Sequence, residues 1–429
     1  MKASYTAHKD PQIDQTIDQH MEIIVEEVRK AVVNVDSIIL AGGFGRGEGT
    51  VRRSPNGKYL PMNDYDLYIL SDTFVPYDVH RNLSERLIEK IGIPAEPKFI
   101  RTSRLGLLIP DMFTFDLKSA SRVIWGKDLR NRILIEKNDV PLGAGLNTLF
   151  IETIALIESF EPEYLTKGIP QDKIPRLSYI SSKVFVEICN AFSLLGNFYD
   201  SYIENRSKLF CVHYDSSFPQ LSKLLPDLPE KVTYHTDRKL KSVDFNVEDM
   251  KERWLDARNA LTYCLWYFAC TVLHKPFDTN KNFPRFLYKN RRRLASFYFE
   301  PYVRYAFRRT HVPPASFLLR VATPVTHVYE NYRYMRNCYK DFGRVCLAPL
   351  LQFESPLIRI YVVSAFLLDS IDETGNVDAV VLKDALHLLS SLYPCDSIDL
   401  KAPKSWSIVR DCCMQVFKTY ASTPETITF

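Results

Sequence analysis

Apolar residues recur at helical spacing from Ile13 to Val33 (Ile13, Ile17, Met21, Ile24, Val25, Val28), which predicts an amphipathic helix. It leads into a short apolar run, Ser37 to Ala41, that reads as a buried strand. A second apolar run, Tyr65 to Ser71, predicts another strand, and the Pro-Asn-Gly at 55–57 predicts a small hairpin between the two. Val79 to Ile91 returns to helical spacing. Pro97 to Thr102 reads as a strand, and Met112 to Leu117 as a further one, with Phe113, Phe115 and Leu117 on one face. Strand and helix thus alternate through the first 130 or so residues, the pattern of an α/β unit.

Beyond Leu146 helical periods take over. Thr148 to Phe160, Leu177 to Asn205 and Val247 to Leu273 are predicted helices, the last with Asn246 and Asp249 placed as a capping pair. Others are expected at Pro301 to Arg309, Pro356 to Ile371, Asp378 to Leu392 and Ser405 to Tyr420. Phe210 to Phe245, with Pro219, Pro226 and Pro229, reads as a connector. The expected class is α+β, with an N-terminal unit over 1–140 and an all-α region over 141–429 divided near 210–245.

Composition leaves this picture in place, at 46% hydrophobic and 25% charged residues. A net charge of +4 implies no polyanionic partner unless the charge is segregated. None of the nine cysteines shares the two-residue gap of a zinc or redox motif, so reduced thiols and a cytoplasmic location are expected. The N-terminus lacks the apolar core of a secretory signal. The most apolar helical stretch, Ala260 to Leu273, is shorter than the roughly 20 residues a membrane span needs. The nine histidines form no metal-spaced cluster.

The candidate chemistry lies between residues 37 and 70. The first strand runs into Gly42 and Gly43 within Gly-Gly-Phe-Gly-Arg-Gly-Glu-Gly, where a turn into a helix leaves backbone N–H groups free for an anion. Glycine lets a triphosphate approach closely, and Arg46 could add a bidentate contact. Asp64 and Asp66 then open the next strand. Residues two apart project from one face, about 6.6–6.8 Å along the chain, and such a pair calls for a divalent cation between its charges. An acid-x-acid pattern arises by chance roughly six times in a chain with this many acids, so the weight rests on its place after the glycine turn. Asp116, on the polar face of the predicted strand 112–117, is the candidate third carboxylate and general base, with Asp111 its rival.

Together these elements resemble the polymerase-beta-like nucleotidyltransferase superfamily, whose pattern is a strand, Gly-Gly or Gly-Ser, a helical turn, Asp-x-Asp and a later acid on a strand. Gly-Gly-Phe-Gly-Arg-Gly-Glu is most similar to the motif of PII-protein uridylyltransferases. Arg122 to Leu129 resembles the helix-start segment that often follows the third strand in minimal members. The resemblance spans roughly residues 20 to 135. It implies an N-terminal mixed-sheet catalytic domain with metals (Mg²⁺ or Mn²⁺) on Asp64, Asp66 and Asp116, and nucleotide contacts from Gly42 and Gly43. Arg46 and Glu48 match the uridylyltransferase-like subset only. It also implies a helical domain closing over the nucleotide, where Lys183 is the candidate triphosphate contact, unless that lysine only snorkels to the surface. The gap from Gly43 to Asp64 is longer than usual, and the accessory domains of the PII enzymes have no counterpart.

From Lys281 to Arg344, fourteen Lys and Arg residues face three acids, an excess larger than that of the whole chain. Interleaved aromatics either stack nucleic-acid bases or fill a helical core. The expected function is metal-dependent transfer of a nucleoside monophosphate from a nucleoside triphosphate, ATP among the candidates, to an acceptor hydroxyl on a small molecule, protein or RNA end. The alternative is an inactive nucleotide- or nucleic-acid-binding regulator that uses the 281–344 segment.

Overall fold

The computed structural model describes residues 4–53, 59–241, 249–279, 282–308, 316–342, 354–393, 399–400 and 404–421. Helix α1 (Pro11–Ala31) starts where the Asp10 side chain accepts the N–H of Gln12 with proline in the first turn, and it buries Ile13, Ile17, Met21, Ile24 and Val28. Strand β1 (Ser37–Leu40) is buried along its whole length, as an apolar run without alternation requires. After the short helix α2 (Gly42–Arg46), β2 (Val51–Arg53) and β3 (Tyr59–Pro61) pair as the expected antiparallel hairpin. The Pro-Asn-Gly centre lies outside the described residues.

Strand β4 (Tyr65–Leu70), helix α3 (Tyr77–Ile91) and strand β5 (Ala95–Ile100) form a β-α-β unit with parallel strands. Strand β6 (Arg122–Gly126) closes the other edge, antiparallel to β1, so the mixed sheet runs β5-β4-β1-β6. Two expectations change here. Arg122 to Gly126 begins no helix but forms this strand. Met112 to Leu117 is no strand but the first part of helix α4 (Met112–Ser119), because the Asp111 carboxylate accepts the N–H of Thr114 at 2.6 Å and nucleates a helix directly after Pro110.

The rest is helical, and the class is α+β. Helices α5 (Leu142–Glu158), α6 (Tyr164–Lys167) and α7 (Ile174–Leu195) come first. The predicted helix 177–205 ends early, at a turn through Gly196 and Asn197, the latter at φ +61°. The predicted connector is helical too: α8 (Ile203–Ser217), α9 (Pro219–Leu224) and α10 (Leu228–Lys241). Pro219 and Pro229 occupy first turns, where a missing N–H costs no hydrogen bond. Helix α11 (Met250–Val272) begins after Asp249, whose side chain makes no capping bond, and Asn246 lies outside the described residues.

Helices α12 (Phe283–Arg308), α13 (Ser316–Phe342), α14 (Pro356–Asp369), α15 (Ala379–Ser390) and α16 (Ser405–Ala421) complete the chain. Every residue of α14 from Pro356 to Leu368 is buried, which makes it the central helix of this half. Among the described residues no helix is long and apolar enough to cross a membrane.

Candidate metal and nucleotide site

The site begins where β1 stops. Ala41 donates its N–H to the Asp66 carbonyl at 2.8 Å, and the chain then turns through Gly42 at φ +61°. A Cβ there would overlap the Asp66 carboxylate, so glycine is required by conformation and by contact. Gly43 turns inward instead: its carbonyl accepts the N–H of Glu48 at 2.8 Å, and a Cβ would sit 3.1 Å from the Glu48 carbonyl oxygen.

Asp64 precedes β4 and Asp66 lies within it. In the parallel ladder Asp66 is the register partner of Glu96 on β5, and register partners share a face. Oxygen atoms of Asp64, Asp66 and Glu96 all lie within 4.8 Å of one another. Burial, then the Asp66 charge, raises the Asp64 pKa; burial, then the Asp64 charge, raises that of Glu96. Lys98 Nζ, 3.6 Å from Asp66 Oδ1, is the nearby cation. An all-oxygen set of mutually repelling carboxylates suits a hard divalent cation such as Mg²⁺ or Mn²⁺.

Glu96 was missed by the sequence reading, which began the strand one residue later, at Pro97. Its alternation with Lys98 was visible, but the parallel pairing that sets it beside Asp66 was not. Asp116, expected in this position, is elsewhere. From α4 it accepts Arg46 Nη1 and the Tyr199 hydroxyl, both at 3.2 Å, with Arg206 Nη1 3.9 Å away. Burial raises its pKa against the opposing pull of Arg206 and Arg46.

The two motif residues that follow the glycines are engaged in the same network. Arg46 Nε lies 3.2 Å from Glu48 Oε2, so its guanidinium is shared between Glu48 and Asp116. Glu48 is buried, and its oxygens accept the N–H groups of Ile203 at 3.1 Å and Glu204 at 3.3 Å, the first turn of α8.

Lys183 on α7 donates to Glu152 on α5 at 2.7 Å. Burial alone would lower its pKa, but Glu152 and Glu187 outweigh that and raise it. Its charge still reaches Asp64, where it partly offsets the rise in that acid's pKa. A small cavity beside it is lined by Tyr179, Ser182, Lys183 and Val186 of α7 and by Arg238 and Lys239 of α10. Burial pushes Lys239 down to about 8, opposed by Glu187. Nothing in the sequence marked this lysine.

Much of the basic segment is neutralised inside the fold. Glu354 is held by Arg291 at 2.9 Å, Arg292 at 2.8 Å and Arg359 at 3.1 Å, while Arg285 meets Asp384 and Arg304 meets Glu300. Phe299 and Tyr334 are buried, and Phe286, Phe297 and Tyr298 pack on the helical core. Lys281, Arg309 and Arg344 lie outside the described residues, as do the side chains of Phe307, Arg308 and Arg320.

Comparison with protein-family models, curated proteins and solved structures gives no match.

Proposed function

We propose that this protein is a metal-dependent nucleotidyltransferase that moves a nucleoside monophosphate from a triphosphate, such as ATP, to an acceptor hydroxyl and releases pyrophosphate. The observation carrying this reading is the convergence of Asp64, Asp66 and Glu96 on adjacent parallel strands, directly against the glycine at position 42. Divalent cations held there would supply charge neutralisation at the α-phosphate and the leaving pyrophosphate.

The protein's own groups have separate tasks. Gly42 keeps the turn open beside Asp66, so the phosphates can approach the backbone. Lys183, whose charge reaches Asp64, and Lys239 beside it in the small cavity offer positive charge to the distal phosphates. Glu96 is the most exposed of the three acids and its pKa is raised; it takes the proton of the attacking hydroxyl. Arg46, Glu48 and Asp116 hold the glycine turn against the helical half and touch no reacting atom. A cytoplasmic location accompanies this reading.

The test is incubation of the purified chain with each α-labelled nucleoside triphosphate, Mg²⁺ or Mn²⁺, and fractionated extract. Label transfer and pyrophosphate release are expected from the unaltered chain and neither from Asp66→Asn or Glu96→Gln. Equal transfer by the Glu96→Gln chain would remove Glu96 from the chemistry. Absence of transfer with every nucleotide and fraction would sink the reading.

A further inference from the structure

Helix α13 divides its residues sharply between two sides. His327, Glu330, Asn331, Tyr334 and Cys338 are buried, whereas Val325, Val328, Tyr329, Tyr332, Arg336, Tyr339 and Lys340 are exposed. At about 100° per residue the exposed set shares one side of the helix. The three tyrosines are 53%, 58% and 63% exposed, high values for side chains that usually bury most of their ring. They span roughly 15 Å at the helical rise. Arg333 lies with its guanidinium 5.7 Å from the Tyr329 ring centre, and Arg336 and Lys340 stand beside Tyr332 and Tyr339 in the sequence without an ion pair to any described residue.

The face offers no free carboxylate in return. Glu330 is buried and accepts the Tyr420 hydroxyl at 2.8 Å, and Asp341 accepts the Thr419 hydroxyl at 2.8 Å. A second copy of the chain docking here about a two-fold axis would set arginine and lysine against their own kind. The complementary ligand is a polyanion with flat apolar groups.

We infer that this face of α13 binds single-stranded nucleic acid, with Tyr329, Tyr332 and Tyr339 stacking on bases and Arg333, Arg336 and Lys340 holding phosphates. The inference stands independently of the transfer reaction, because it uses none of the carboxylate site. It also narrows the basic segment toward one helix, Arg291 and Arg292 of α12 being engaged with Glu354, Arg285 with Asp384 and Arg304 with Glu300.

Fluorescence anisotropy of the full chain with a labelled oligouridine and with oligothymidine of equal length tests it and separates RNA from DNA. Three phosphate contacts predict an affinity loss of about tenfold or more between about 50 and about 200 mM salt. Tyr332→Ala with Tyr339→Ala should weaken binding by about tenfold or more, and the corresponding Phe changes should preserve it. Arg336→Ala should lower the slope of log affinity on log salt by about 0.7. Because these side chains are exposed, the unfolding midpoint should not move. Failure to bind either oligonucleotide, or equal binding by the double Ala variant, overturns the inference. A concentration-dependent dimer abolished by the same Tyr substitutions overturns it in favour of a second copy.

Discussion

Glu48 Oε2 accepts the backbone N–H of Ile203 at 3.1 Å, across 155 residues of sequence. One carboxylate therefore completes the first turn of α8 and, through Arg46 and Asp116, braces the glycine turn of the sheet domain. Replacing it removes a helix cap and leaves the half-buried guanidinium of Arg46 with one partner fewer.

Glu48→Ala is expected to destabilise the chain by on the order of 3 kcal/mol, the cost of breaking a buried, hydrogen-bonded charge pair. Glu48→Gln should lose less, since the amide oxygen can still accept one α8 N–H. Denaturant unfolding of the two variants checks this. Equal midpoints for Ala, Gln and the unaltered chain would leave the link without energetic weight.

At position 42 the backbone is left-handed and the space a Cβ would take is filled by the Asp66 carboxylate. Gly42→Ala should cost about 1–2 kcal/mol in backbone strain and displace Asp66 besides. Divalent-ion affinity, read by Mn²⁺ paramagnetic resonance, should fall more than stability does. A Gly42→Ala chain that binds Mn²⁺ like the original would mean that Asp66 tolerates the shift.

The raised pKa values of Asp64 and Glu96 give stability a pH signature. Their folded pKa values lie above the unfolded carboxylate range of about 4, so the folded chain binds protons more tightly. Without metal, their contribution is most favourable below that range and is lost as pH rises through the folded values. Added Mg²⁺ should thus raise the melting temperature more near pH 7 than near pH 5, and Asp66→Asn should abolish the increment. An Mg²⁺ effect independent of pH would contradict a carboxylate site.

Lys183 faces a buried carboxylate, Glu152, whose side chain is only 2% exposed. Lys183→Met should destabilise by about 3 kcal/mol because it strands that charge. Adding Glu152→Gln should restore most of the loss. If Lys183 also serves the triphosphate, the stable double variant will keep its fold with a raised KM for the nucleotide. An unchanged KM would restrict the lysine to its structural pairing.

The main elements were legible in the chain because each carries a local signal: the apolar runs of β1 and β4, the helical spacing of apolar residues in α1, the Pro-Asn-Gly hairpin. Helix α4 was misread because Phe113 to Leu117 alternates over only a few residues, a pattern compatible with either period, and the Asp111 cap decided the matter. Helices α8 to α10 occupy the expected connector because Pro219 and Pro229 sit in first turns, where proline is tolerated, and only Pro226 falls between two helices.

The amino-acid order alone determined the α+β class, the glycine turn and the closeness of Asp64 to Asp66, since all three follow from periods and spacings within a few residues. Only the tertiary structure decided which third acid joins them. Glu96 arrives through the parallel register of β4 with β5, while Asp116 is drawn to Arg46, Tyr199 and Arg206. Electrostatic pairing between distant segments depends on where the backbone carries each charge after folding, and no local pattern encodes that position.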